Sequence, residues 1–271
     1  MFLLEPDETR FDLRWRMFGT PVRVHPMFWL VGLILGYDGL IREGVGFVLA
    51  WVACVFVSVL LHEFGHVWMG RLFGSEGYIV LYTLGGLAVG SNRLHQRWQR
   101  ILVLFAGPLI QLLLLGILWV SKDQIAAAFS KDSQRSAALV WRMLFEINLL
   151  WPILNLMPIW PLDGGQITRE VCQGLLRERG TAISLGISMV VSGVLAANEL
   201  MAYNGHPLIR LPFPESGALE IPFGIYVMHM HFFDSGSMFM AIFFAMFCVS
   251  SFTALQVENE RRRQWDRDEW V

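Results

Sequence analysis

The stretch that decides the fold is Val45-Gly46-Phe47-Val48-Leu49-Ala50-Trp51-Val52-Ala53-Cys54-Val55-Phe56-Val57-Ser58-Val59-Leu60-Leu61-His62-Glu63-Phe64-Gly65-His66. From Val45 to Leu61 it carries no charge, and it then places two imidazoles and a carboxylate within five residues. An apolar run of this length reads as a membrane-spanning helix. An ionisable side chain at bilayer depth costs roughly 3 kcal/mol on insertion scales, so three together imply a purpose.

The spacing names the chemistry. On a helix, residues four apart share a face with Cβ atoms about 6 Å apart, so His62 and His66 can reach one zinc ion. Glu63 projects beside that face, where a carboxylate can take a proton from water and return it to a leaving amine while the metal polarises the carbonyl under attack. H-E-x-x-H also occurs in soluble surface helices with no metal function. Here its apolar setting favours the metal.

Composition points the same way. The 271 residues are 55% hydrophobic and 16% charged, with a mean hydropathy of +0.48. That is too apolar for an ordinary soluble domain of this length, and the chain reads as an integral, multi-pass membrane protein. The balance of 21 basic and 23 acidic residues gives no reason to expect nucleic acid as a partner. Cys54, Cys172 and Cys248 are widely separated and lie mostly within apolar stretches, so neither a thiolate zinc cluster nor a disulfide framework is indicated. Met1 to Val24 carries Glu5, Asp7, Glu8, Asp12 and four arginines, unlike a cleavable signal peptide, so the first span is expected to direct insertion.

Apolar runs predict six helices, near 25–37, 45–70, 100–120, 137–157, 183–203 and 237–256, the first being short. Fifteen Lys and Arg lie in the N-terminal segment, the 70–100 and 166–182 connections and the tail, against five in the alternate connections. The positive-inside rule then puts both termini in the cytoplasm, and a chain of this kind fits a prokaryotic inner membrane. The expected organisation is a cytoplasmic segment 1–24, a membrane core 25–203, a non-cytoplasmic connection 204–236, and a last helix with a cytoplasmic tail over 237–271. The expected fold class is all-α and polytopic.

One segment breaks the helical pattern. Tyr78-Ile79-Val80-Leu81-Tyr82-Thr83 is β-prone and leads into Leu84-Gly85-Gly86-Leu87. Extended backbone here must be shielded from lipid, either as a β-hairpin or by re-entering beside the protein. A sheet edge near the motif can hold a substrate in extended form by strand addition, which exposes a peptide bond that a helix shields. A glycine-rich interfacial turn is the plain alternative.

A catalytic zinc usually takes three protein ligands and a water, so a further donor is needed. Asn148 to Gly165 contains Pro152, Pro158 and Pro161 followed by Leu162-Asp163-Gly164-Gly165. Pro158 and Pro161 cannot continue a helix, the glycines permit close backbone approach, and broken helices at membrane depth line sites. By the charge count this helix also descends towards the cytoplasm, bringing Asp163 to the level of His62 and His66.

H-E-x-x-H in an early span with N-x-x-P-x-x-P-L-D-G-G in a later one resembles the site-2 protease family of intramembrane zinc metalloproteases (peptidase family M50). Gly85-Gly86, Ala106-Gly107-Pro108 and Pro21-Val22-Arg23-Val24-His25-Pro26 support the resemblance, which covers roughly residues 20–170. It implies one zinc ion held by His62, His66 and Asp163, with Glu63 as general base and then acid. It further implies that Asn155 contacts substrate or oxyanion, and that Gly85 and Gly86 lie beside the substrate. The implied partners are a transmembrane protein substrate and membrane lipid; oligomeric state is not indicated. The chain departs from the family at Gln111, where asparagine is common, which weakens any specific role for that residue.

Other polar residues have plainer readings. His25 and His95 read as interfacial, Arg142 and Glu146 as a neutralising i,i+4 pair, and Glu258 to Arg263 as a solvated helix end. His206, His229, His231 and Asp234 fall on the side of the membrane opposite the motif, which argues against a second metal site. Two rival functions remain, a membrane metal-ion transporter and a non-catalytic scaffold that binds transmembrane helices. Neither gives Glu63 a chemical task.

Overall fold

A computed structural model describes residues 5–83, 85–209, 218–224, 226–231 and 236–268. In chain order the elements are β1 Leu13–Met17, β2 Thr20–Val24, α1 Pro26–Leu35, α2 Tyr37–Glu43, α3 Val45–Leu72, β3 Tyr78–Tyr82, β4 Gly85–Val89, α4 Arg97–Ala128, α5 Lys131–Asn155, α6 Asp163–Leu176, α7 Gly180–Tyr203, β5 Ala218–Phe223, β6 Tyr226–His231 and α8 Met238–Asp268. A 3-10 turn, Arg177–Arg179, joins α6 to α7.

The chain divides into two compact units, one holding residues up to Leu154 with 219–230, the other residues 155–218 with 231–271. In the first unit, β1 to β4 form a four-stranded sheet in chain order. β1 and β2 are antiparallel and joined at Phe18 and Gly19, both with positive φ (51° and 73°). Two such residues make the tight turn that suits the right-handed twist of a hairpin. β2 runs parallel to β3 with Val22 opposite Ile79 and Val24 opposite Leu81. β3 and β4 form the antiparallel hairpin expected from the sequence, with Leu81 opposite Gly86.

One face of this sheet meets the helices. Val22, Val24, Ile79 and Leu81 form a core with Phe28 of α1 and Val59, Leu60, Phe64 and Val67 of α3, none more than 7% exposed. Each large apolar side chain buried this way contributes about 1.5–3 kcal/mol. Phe18, at the β1–β2 turn, rests its ring 5.8 Å from Phe64 and 5.9 Å from Trp68, and Arg71 donates to its carbonyl at 2.9 Å. Arg23 is buried too, and donates to Glu5 at 2.8 Å, the Pro6 carbonyl at 3.0 Å and Asp12 at 3.3 Å. These bonds tie the first described residues to β2.

The parallel pairing of β2 with β3 constrains everything between them. The chain leaves the sheet at Val24 and rejoins it at Tyr78. α3, 28 residues long, covers about 42 Å of the return at 1.5 Å per residue. α1 and α2 together must therefore run most of that length the other way. Alone, α1 has ten residues, about 15 Å or half of a hydrocarbon core. It stops at Gly36, and α2 continues to Glu43.

Five helical stretches among the described residues are long and apolar enough to cross a membrane: Val45–Leu72, Arg97–Ala128, Lys131–Asn155, the run Asp163–Tyr203 and Met238–Gln264. The short first helix falls below that length, so the expected six are five by this measure. α5 ends at Asn155 and α6 begins at Asp163, so the helix breaks across Pro158 and Pro161 as expected.

The second unit is held by polar contacts between small side chains. Ser188 on α7 meets Ser251 on α8 at 2.7 Å and accepts from the Trp160 backbone N–H at 2.6 Å. Short hydroxyl side chains let apolar helices approach and bond where water is scarce. In the first unit, β5 and β6 pair with each other, and Phe223 of β5 is buried with its ring 5.7 Å from Trp141 of α5. His229 and His231 are two apart in β6, and Asp234 lies outside the described residues.

Candidate metal centre

α3 carries the motif at a level where it is covered on all sides. His62 is 3% exposed, Glu63 5% and His66 6%. One nitrogen of each histidine and one oxygen of Glu63 lie within 4.8 Å of one another, the grouping among the described residues that could hold a metal ion. The two Nε2 atoms are 3.1 Å apart. Two nitrogens bound to one tetrahedral zinc at 2.0–2.1 Å subtend about 3.3 Å. The pair thus fits a single ion within a few tenths of an ångström.

Both rings are held from behind. His66 Nδ1 lies 2.7 Å from the Val103 carbonyl of α4, and His62 Nδ1 lies 2.9 Å from Gln111 Oε1 on the same helix. A metal-binding histidine usually gives its second nitrogen to such a partner. Pro108 stands inside α4 and removes the rung to the Leu104 carbonyl.

Glycines clear the space around the site. A Cβ at Gly65 would stand 2.5 Å from the Ala106 carbonyl oxygen, so α3 and α4 touch through backbone there. One at Gly107 would overlap His66 Nε2 and lie 2.9 Å from His62 Cε1. One at Gly86, in β4, would lie 2.5 Å from Glu63 Cδ and Oε1. Among the described residues β4 is an edge strand, half-buried along its length, and it faces the Glu63 carboxylate at Gly86. Gly85 neighbours Trp151 of α5.

The remaining residues singled out from the sequence lie at the α5–α6 break. Asn155 closes α5. Asp163 opens α6 and is 8% exposed. A Cβ at Gly164 would stand 2.5 Å from the Met157 carbonyl oxygen, and one at Gly165 2.5 Å from the Trp160 nitrogen. The two glycines after the aspartate are therefore what let the proline-rich loop fold back on the first turn of α6. Arg142 and Glu146 pair at 3.8 Å, as their spacing suggests.

The sequence reading discounts Gln111 and passes over Ser58 and Asn148, all with no measurable exposure. A signal existed for two of them. Ser58, His62 and His66 repeat every four residues on α3, and Gly107 and Gln111 do so on α4, so each polar residue shares a helix face with the site.

A sequence profile described as peptidase family M50 matches residues 50–134 and 120–196, together more than half of the chain. A zinc metalloprotease of Methanocaldococcus jannaschii is 26% identical over 195 residues, covering 69% of this chain and 55% of that protein. Stage IV sporulation protein FB of Bacillus subtilis is 25% identical over 163 residues, covering 57% of this chain and 48% of that protein. The chain thus spans about half the length of these curated relatives. Among solved structures, the site-2 protease from Methanocaldococcus jannaschii superposes with a TM-score of 0.52 at 24% identity, over 72% of this chain and 87% of that one. The fold is shared. Matched over residues 50–196, which hold the buried His-Glu-His cluster, this multi-pass integral membrane protein belongs to peptidase family M50.

Proposed function

We propose that this chain is a zinc-dependent endopeptidase that hydrolyses peptide bonds in or near transmembrane segments of other membrane proteins. The observation that carries this reading is the convergence of two imidazole nitrogens 3.1 Å apart beside a buried carboxylate, inside a helix of membrane-spanning length. His62 and His66 hold the zinc. Asp163, a buried carboxylate at the start of a helix that follows a break, is the proposed third ligand. Zinc, when bound, supplies a Lewis acid that acidifies water and polarises a peptide carbonyl.

The chain's own residues do the rest. Glu63 accepts a proton from the attacking water as its oxygen bonds to the carbonyl carbon, then delivers that proton to the amide nitrogen as the C–N bond breaks. Its burial raises the strength of every polar contact it makes. The free edge of β4 at Gly85 and Gly86 aligns an unwound substrate segment by strand addition, and Asn155 contacts substrate or the developing oxyanion. The partners are therefore a transmembrane protein and the surrounding lipid.

Orientation follows from charge and topology together. The run α1 to α2, 18 residues from Pro26 to Glu43 or about 27 Å, counts as a sixth crossing because α3 must be undone between two paired strands. Both termini, the sheet and the His62–His66 level then lie towards the cytoplasm, with 25–203 as the membrane core. A prokaryotic inner membrane fits this arrangement.

The test is Glu63→Gln in the detergent-solubilised protein, with a transmembrane substrate read by gel mobility and bound zinc read by elemental analysis. Cleavage is expected to vanish while zinc stays. Retained cleavage refutes the proposed base, and zinc flux into vesicles with no cleavage by the unaltered protein favours a transporter.

A further inference from the structure

The side chain that faces His62 from α4 is held in turn. Gln111 Nε2 lies 3.3 Å from the backbone carbonyl of Ser58, and Gln111 has no exposed surface. A carbonyl oxygen only accepts, so the amide must turn its NH2 towards Ser58 and its oxygen towards His62. That oxygen also only accepts. His62 Nδ1 therefore carries the hydrogen, and its Nε2 is left with a lone pair. The swapped amide would set its oxygen against the Ser58 carbonyl and its NH2 against His62, losing the bond to Ser58.

Ser58 is fixed from a third helix. Asn148 Nδ2, on α5, donates to Ser58 Oγ at 2.9 Å and to the Leu144 carbonyl at 2.8 Å. One residue of α3 thus receives α4 through Gln111 and α5 through Asn148, one turn before His62. All three side chains are fully buried, where an unmade polar contact is expensive. Swapping the Asn148 amide would set its oxygen against the Leu144 carbonyl and lose that bond, so its orientation is fixed as well.

We propose that Gln111 is a positioning residue for the metal centre: it locks His62 in the tautomer whose Nε2 lone pair faces His66, with Ser58 and Asn148 as its brace. This rests on His62 being a zinc ligand. The other tautomer would aim an N–H at the ion. Val103 does for His66 by a backbone carbonyl what Gln111 does for His62 by a side chain, so this half of the site alone can be altered by substitution.

The experiment uses the full chain in detergent micelles with Gln111→Met, which keeps the length and removes both polar groups, and Gln111→Glu, whose neutral acid can still accept from His62 and donate to Ser58. Zinc affinity is read by competition with a chromogenic chelator, and the His62 tautomer by nitrogen-15 NMR of metal-free protein. Expected are a 10- to 100-fold loss of affinity in Gln111→Met, typical of a removed outer partner, a mixed tautomer at His62, and an affinity within a few-fold of the unaltered protein in Gln111→Glu. Should Gln111→Met fail to fold, Gln111→Asn keeps a buried amide but withdraws it by one methylene, and the same loss is expected. Unchanged affinity with His62 still protonated at Nδ1 overturns the proposal. A His62→Ala control separates the premises: if zinc binds as well without that imidazole, the reading of the metal centre itself is what fails.

Discussion

Gly86 of β4 lies so close to Glu63 of α3 that a single methyl group would stand 2.5 Å from the carboxylate carbon and one of its oxygens. A contact that short forces a shift, and what can shift decides the consequence. The carboxylate is the end of a flexible side chain, whereas the strand is fixed by pairing with β3. Gly86→Ala should therefore displace Glu63 and leave the fold intact. Misplacing a catalytic group by about 1 Å can cost on the order of 10²-fold in rate. The expected outcome is a drop of that size in kcat/KM with an unchanged melting temperature, measured on the same purified sample.

Gly107 makes the complementary case. Its added methyl would overlap His66 Nε2 and lie 2.9 Å from His62 Cε1, intruding on the space between the two imidazoles. Gly107→Ala should weaken zinc binding before it weakens folding, because the rings can rotate away while α3 and α4 remain packed through Gly65. Bound zinc per chain after dialysis, together with circular dichroism, checks this. Full zinc occupancy in a folded Gly107→Ala protein would show that the ion does not lie between these rings.

How much of this was legible in the sequence depends on how local each feature is. α3 could be read because an uncharged run and a motif of fixed spacing both lie along one helix. The β3–β4 hairpin could be read because its β-prone residues and its glycines are neighbours in the chain. β1 and β2 could not, although Leu13, Trp15 and Met17 alternate with Arg14 and Arg16. Their place in the sheet depends on Val22 finding Ile79 across 57 positions, and the charges of residues 1–24 read as a cytoplasmic segment. The first helix was placed at about the right position, but its end at Gly36 and the second helix beyond it were not foreseen. Gln111 was undervalued for a similar reason. An amide in an apolar span has no visible partner until three helices are brought together, and the family resemblance points to asparagine at that place.

The N-terminal segment carries a pH dependence of its own. Burial alone would raise the carboxyl of Asp12, but the hydroxyl and backbone N–H of Thr9 and the charge of Arg23 outweigh it and hold it below the usual value of 3.8. A folded pKa below the unfolded one stabilises the protein fully at pH above the unfolded value, and the contribution is lost as pH falls through the folded one. The contacts at stake are the hydrogen bonds from Thr9, its N–H at 3.2 Å, and the 3.3 Å contact that ties Asp12 to Arg23 on β2. Lowering the pH from about 6 to about 3 should therefore loosen residues 9–24 before it affects α3, seen as faster amide exchange in that segment after correction for the intrinsic rate. Asp12→Asn removes the titrating group, so its β1–β2 amides should exchange faster at pH 6 and respond less to acid. Equal acid sensitivity in both proteins would show that the effect does not come from Asp12.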